Sequence, residues 1–412
     1  MMRQKRTNEL MERAIQRALD VGELGVQVAV YHRGELLVDS WAGRADAESG
    51  VPVTAGTLFN IFSVTKSFTA VALHIQADRG LIDYDAPVTR YWPEFGQNGK
   101  DAITVRHILS HRSGAPQMPP GVTIETMGDW DWMIRNIEAM EPIATADSQS
   151  SYQAYVFGWY VGELVRRTDP AHRTIDRFIQ EEICEPLGIR DFYMGLPDAQ
   201  APRVAPLTNV AFGGKAAPGA ASEPMSLTTA TVSHSRPSAE AAPYMALAIP
   251  AAVATGPDNY NRRDVQAAVN PGAGGIANAV SVARLYAMLA NQGQLDGVRI
   301  LRSETVRGLT QLRKDPFSID RVVGRVAILG EGGFWLGADH PGVEAAVGTA
   351  PSILCHPGAG GSIGWGDTES GLAVAICHNR MFSRIEDPSK QPWIAIGEAA
   401  RALVSDGPPE TA

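Results

Sequence analysis

Cysteine is scarce in this 412-residue chain, which has three: Cys184, Cys355 and Cys377, far apart and without a CxxC pair. No even-numbered disulfide framework can be drawn, and reduced thiols in a reducing compartment are the simplest account. Long apolar runs are also missing. No stretch approaches the ~18 apolar residues of a membrane-spanning helix, and the basic start MMRQKRTNEL lacks the apolar segment of a secretory leader. A cytoplasmic protein with no membrane span is the expectation. There is no basic excess: Lys+Arg number 36 against Asp+Glu 45, a net charge of −9, which disfavours a nucleic-acid partner. His107 and His111 stand four apart, but there is no H-E-x-x-H and no third ligand nearby, so no metal is expected and the pair is read as helix and turn structure. No glycine-rich loop follows a strand and opens a helix, which argues against a nucleotide. The sequence asks for no cofactor.

What is present is ordinary globular material. Hydrophobic residues make up 44% and charged residues 20%, enough to bury a large core. Residues 7–22 have the pattern of an amphipathic helix. Val26 to Tyr31 and Leu36 to Trp41 alternate as strands around Gly34, predicting a hairpin. From Ser63 to about Leu196 the pattern is mainly helical, with runs at 103–110, 155–167 and 175–187. Helical spacing returns at Ser281 to Gln292. Two strand-like runs, 351–356 and 371–377, follow with a Gly-rich join between them, and a last helix is predicted over 393–404. Residues 200–270 are rich in Ala, Pro, Ser and Gly with weak periodicity, and are read as a partly ordered insertion or lid. There are no internal repeats.

Strands at both ends and helices between them predict an α/β (α+β) fold. An antiparallel sheet is built from the N- and C-terminal strands and flanked by helices, with a mainly helical subdomain inserted. The expected organisation is one catalytic domain over 1–412. Its sheet part covers about 1–70 and 270–412, and the helical part with its lid-like insertion about 71–269. The cleft should lie where the two meet.

Chemistry is concentrated at Ser63-Val-Thr-Lys66. A serine hydroxyl is a poor nucleophile until its proton is removed. In S-x-x-K a lysine at i+3 shares the helix face and can take that role. Lys66, Ala70, Leu73 and Ala77 follow helical spacing, with Gly80 where a helix would end, so the lysine lies on a small apolar stripe. Burial there disfavours the ammonium form. Taken alone, four residues are weak evidence, because Ser63 could merely cap a surface helix.

Two more stretches strengthen the case: Ser151-Tyr152-Gln153-Ala154 ahead of a helix, and His356-Pro-Gly-Ala-Gly-Gly-Ser362 after a strand. In this order the three resemble the serine beta-lactamase and penicillin-binding-protein superfamily, nearest to class C beta-lactamases and their related esterases, the family VIII carboxylesterase type. Leu109-Ser-His-Arg-Ser-Gly114, Tyr155 to Val165 and Pro271-Gly-Ala-Gly-Gly-Ile276 look like the same esterase branch. The resemblance spans roughly residues 10–400. It implies that Ser63 is acylated and that Lys66 and Tyr152 share the proton transfers, without saying which is the base. It also implies that His356-Pro-Gly358 stands in the place of a Lys-Thr-Gly strand. The backbone N–H groups of Ala359 and Ser63 would then form the oxyanion hole.

The departures matter. Ala154 stands where the family's tyrosine motif usually ends in Asn, and His356 replaces the strand lysine, so an anionic antibiotic should be held weakly. Phe157, Trp159, Phe334, Trp335 and Trp365 are compatible with an acyl or alcohol pocket. The resemblance therefore implies a serine hydrolase acting on a small-molecule carboxylic ester. A beta-lactamase, a D-aminopeptidase or carboxypeptidase, or an acyltransferase would share the same fold and acyl-enzyme. A homo-oligomer stays open. Gly360-Gly-Ser-Ile-Gly364 also matches the G-x-S-x-G elbow of alpha/beta hydrolases, but no helix is predicted after Ser362, and only 50 residues remain for an acid and a histidine.

Overall fold

The first hairpin consists of β1 (Gly25–His32) and β2 (Glu35–Gly43), joined by Arg33 and Gly34. Both turn residues have positive φ, 49° and 87°, as in a turn whose twist matches that of the flanking strands. The computed structural model describes residues 6–209, 240–340, 343–382 and 391–405. In it, β1 also pairs antiparallel with β11 (Leu372–His378), Val26 lying opposite His378. The sheet continues through β10 (Ile363–Asp367), β9 (Ile353–Pro357) and β8 (Trp335–Leu336), in the order β2-β1-β11-β10-β9-β8. Strands from both ends of the chain thus share one antiparallel sheet, as the sequence predicts.

Strand alternation decides which helices cover which face. Val26, Val28 and Val30 of β1, with Val374 and Ile376 of β11, join one apolar cluster with Met11, Ile15 and Ala18 of α1 (Glu9–Asp20) and Ile396 and Ala400 of α13 (Ile394–Ser405). On the other face Ala29, Ala373 and Ala375 meet α11 (Ala279–Ala290). These residues are small, which allows α11 to come close. Strand β10 shows how close. A Cβ on Gly364 would lie 2.3 Å from the Tyr286 ring of α11. This strand occupies what reads in sequence as a Gly-rich join: glycine weakens strand propensity, but here it makes room for the helix.

A second, three-stranded sheet has the order β3-β5-β4, formed by β3 (Phe59–Phe62), β5 (Gly275–Ala277) and β4 (Phe192–Tyr193). A small hairpin, β6 (Gln294–Leu295) with β7 (Val298–Arg299), follows α11, and α12 (Ser303–Leu309) comes after it. Between the ends lie α2 (Thr65–Asp78), α3 (Val105–Leu109), α4 (Ile124–Met127), α5 (Trp130–Ala139), α6 (Phe157–Thr168) and α7 (Ile175–Ile179). The stretch read as an insertion is partly regular, with α8 (Ala242–Ala248), α9 (Pro257–Tyr260) and α10 (Arg263–Ala267) too short to produce a periodic signal. Residues 210–239 of that proposed lid lie outside the described residues. Among the described residues no helix is long and apolar enough to cross a membrane.

Candidate active site

Ser63 sits in the two-residue step between β3 and α2, one residue before the helix N-cap Val64. Phe62, just ahead of it, has φ of +46°, a left-handed conformation that is uncommon for a bulky residue. It is held there by buried contacts. The Thr65 hydroxyl donates back to the Phe62 carbonyl and accepts from Gly275 N–H at 2.8 Å, tying this turn to β5. The sharp turn leaves Ser63 at the head of α2, with Lys66 one turn further on.

Lys66 is wholly buried. Its Nζ lies 2.9 Å from Ser63 Oγ, 2.6 Å from the Ala154 carbonyl and 2.7 Å from the Gly272 carbonyl. Burial holds the amine well below its ordinary pKa, and among the described residues no carboxylate offsets the loss of solvent. Two glycines make the far carbonyl available. A Cβ on Gly272 would lie 2.2 Å from the Tyr155 carbonyl oxygen, and one on Gly158 would lie 2.1 Å from Gly272 N. The Pro271-Gly segment can press against the start of α6 only because both positions lack a side chain.

Tyr152 comes to the same serine. It lines the same hollow as Ser63, and its ring centroid lies 5.2 Å from Lys66 Nζ. Burial raises the phenol well above its ordinary value; the Ser63 hydroxyl works against that shift, while the Asp320 charge adds to it. The backbone around Tyr152 is clamped. Asp320 Oδ1 accepts from the N–H groups of Tyr152 (3.0 Å), Val322 (2.9 Å) and Val323 (3.0 Å), and its Oδ2 accepts from the Ser150 hydroxyl at 2.5 Å. Gln153 N–H donates to His111 Nδ1 at 3.1 Å, and Ser151 N–H to the His111 carbonyl at 3.0 Å. His107 caps its own helix, accepting from Thr104 N–H at 3.2 Å. Both histidines serve turn and helix structure.

Ser63 and Tyr152 open onto a hollow that is also lined by Val323, Arg325, Trp335, Glu344, Pro357, Gly358 and Ala359. The strand segment 357–359 therefore faces Ser63, and a Cβ on Gly358 would lie 2.5 Å from the Ile61 carbonyl. His356 differs from the other expected site residues. It has no exposed surface, its Nδ1 donates to the Pro357 carbonyl at 2.9 Å, and its ring centroid lies 6.3 Å from that of Tyr152. Burial keeps this imidazole neutral, well below its ordinary pKa. Of the five aromatics considered for a pocket, Trp335 lines the hollow, while Phe157, Trp159, Phe334 and Trp365 are core. Ser362 is no elbow: it leads into β10, and its Oγ accepts from His378 N–H at 3.3 Å.

Asp320, Arg325 and Glu344 escaped the sequence reading. No motif or periodicity marks them, because the partners that define them lie far off in the chain: Tyr152 and Ser150 are 168 and 170 residues from Asp320, and Glu344 is 19 from Arg325. Gly272 was visible only as part of a family-like segment. Among the described residues no cluster of three or more His, Cys, Asp or Glu could hold a metal ion.

The family model described as Beta-lactamase matches residues 11–397. The chain is 35% identical over 360 residues to the esterase/beta-lactamase LipL of Mycobacterium tuberculosis, covering 87% of this chain and 78% of that protein. Among solved structures, a family VIII carboxylesterase superposes with a TM-score of 0.81 at 29% identity, covering 97% of this chain and all of that one. A penicillin-binding-protein homologue from Caulobacter crescentus gives a TM-score of 0.79 at 29% identity, covering 96% and 99%. With nearly the whole chain matched, and a buried lysine and a tyrosine meeting at one serine, the protein belongs to the beta-lactamase family of serine hydrolases.

Proposed function

We propose that the protein is a carboxylesterase that hydrolyses small-molecule esters through an acyl-enzyme on Ser63, with Lys66 as base and Tyr152 as the acid for the leaving alcohol. One observation carries this: the three oxygens around Lys66 Nζ. The carbonyls of Ala154 and Gly272 can only accept. A neutral amine has two N–H bonds, one for each carbonyl, and one lone pair, which is left for the Ser63 hydroxyl. Burial favours that neutral form. The Ser63 O–H then donates to a base already aimed at it.

As Ser63 Oγ bonds to the ester carbon, its proton passes to Lys66. The backbone N–H groups of Ser63 and Ala359 receive the oxyanion, a contribution of ~2.7–4 kcal/mol per donor in such hydrolases. The C–O bond to the alcohol breaks, Tyr152 gives its proton to the departing oxygen, and the Lys66 ammonium restores the phenol. Water then attacks the acyl carbon and gives a proton to Lys66, and Ser63 regains one as the acid leaves. A phenol held protonated by burial suits the donor role. The neutral His356 ring and Ala154 offer no charge to a carboxylate, and the Arg325 charge at the hollow is taken up by Glu344, which favours neutral esters over lactams. The catalytic unit is the whole chain 1–412, the sheet part (about 1–70 and 270–412) and the helical part (71–269) both contributing site residues.

Peptide mapping after fluorophosphonate treatment should find the adduct on Ser63 alone. S63A should be inert towards p-nitrophenyl esters and S362A should retain full activity. Labelling elsewhere, or faster turnover of nitrocefin than of a butyrate ester, would overturn the assignment.

A further inference from the structure

One group at the hollow has no part in the proton transfers. Arg325 Nη2 lies 3.4 Å from Glu344 Oε1, with the two side chains 9% and 4% exposed. The guanidinium carbon sits 5.3 Å from the centre of the Trp335 ring, which in turn lies 5.9 Å from the Tyr152 ring. Arg325 Nη1 donates to the Val326 carbonyl at 3.1 Å. Phenol, indole, guanidinium and carboxylate thus form a continuous series leading away from Ser63, and all four line the same hollow.

Such a pair needs explaining. A buried ion pair is often no more stabilising than apolar residues of the same volume, and this one lines the hollow onto which Ser63 opens. Resting on the reading of Ser63 as the acylated residue, we propose that Arg325 and Glu344 are specificity-determining residues that close the acyl pocket with a polar wall and restrict the enzyme to esters of short acyl groups. Against the Trp335 ring each buried methylene should raise binding about fourfold. Beyond it, a methylene meets the guanidinium and carboxylate, strips water from their open side, and supplies no hydrogen bond in return. Each carbon past the ring therefore adds nothing or counts against binding, so acceptance falls with chain length.

The test is the chain-length profile of kcat/KM on p-nitrophenyl butyrate, hexanoate and octanoate. The wild-type enzyme should take octanoate about tenfold or more slowly than butyrate. In R325M/E344L, which replaces both charges by apolar groups of similar size and leaves no lone buried ion, the octanoate-to-butyrate ratio should rise about tenfold or more. A wild-type profile flat to octanoate overturns the proposal without any variant, and so does a double variant that keeps the wild-type ratio. The hydrolase reading fails separately: with no fluorophosphonate adduct on Ser63 and no turnover of any ester, both fall together, whereas labelled, active enzyme with the wrong profile sinks the pocket wall alone.

Discussion

At the scale of single residues, the same force, burial, acts in opposite directions on the two groups that flank Ser63. It penalises the charged form of each, so it pushes the Lys66 ammonium down and the Tyr152 phenol up, and both become neutral. The consequence for pH is specific. Activity should fall on the acid side as Lys66 takes up its proton, and no alkaline fall should appear below about pH 10, where an unperturbed phenol would ionise. A bell-shaped kcat/KM profile with an alkaline limb near neutrality would contradict this. K66A and Y152F should each lower kcat by ~10²–10⁴-fold while leaving the thermal unfolding midpoint close to wild type; near-normal rates in both would break the coupled mechanism. Glu344 gives a stability test. Burial pushes its carboxyl up to about 7, against the pull of Arg325. Below about pH 7 the folded state therefore holds a proton that the unfolded chain, with an ordinary carboxyl near ~4.3, has lost; stability from this group declines as pH rises to about 7, above which the carboxylate pairs with Arg325 as an ion. Urea midpoints at pH 5 and pH 8 should differ less in E344Q than in wild type; equal differences would refute it.

At the scale of elements, the site depends on how three segments are held. The turn Phe62–Ser63–Val64 is pinned to β5 through Thr65, the 271–272 loop is pressed on α6 by paired glycines, and the Tyr152 segment hangs from Asp320. Asp320 is the most economical of these clamps, with one carboxylate serving Tyr152 and the pocket residue Val323 together. D320N keeps the shape but turns one acceptor into a donor facing Ser150. It should cost about 1–3 kcal/mol in stability and lower kcat about tenfold or more with KM little changed, since what is lost is the aim of the phenol rather than substrate contact. Reduced stability with unchanged kcat would leave Asp320 a purely structural residue. The same clamps explain what the sequence could reveal. Ser63 and Lys66 were legible together because a helix brings i and i+3 onto one face. The β1–β2 hairpin, α2 and α6 were legible because periodicity is local. The meeting of Tyr152 with Ser63 was reachable only through the family resemblance, and Asp320, Arg325 and Glu344 through nothing, because each is defined by partners brought in by tertiary packing. Strand β10 was missed for a related reason: Gly364 is a poor strand former, and the helix that requires it lies about 80 residues earlier.

At the scale of the molecule, the order of strands is the decisive feature. β1 is laid down first, yet its partner on one side, β11, comes from the last part of the chain, and β9 and β10 complete the sheet beyond it. Until those strands arrive, β1 has an open edge, and its valines lack the cover that α13 adds to that of α1. The hollow is equally divided: Ser63 and Tyr152 come from one part of the chain, and Trp335 and the 357–359 segment from another. Sheet and site are therefore completed by the same late segment, and the chain should unfold as one cooperative unit. A fragment ending at residue 350 keeps Ser63, Lys66 and Tyr152 but lacks β9, β10 and β11. It should give no cooperative melting transition, should associate through its bare strand edge, and should take no fluorophosphonate label, even though every residue of the proton-transfer set is present. If the fragment instead melted sharply and labelled at Ser63, the helical part would be a catalytic domain in its own right, and the sheet merely its support.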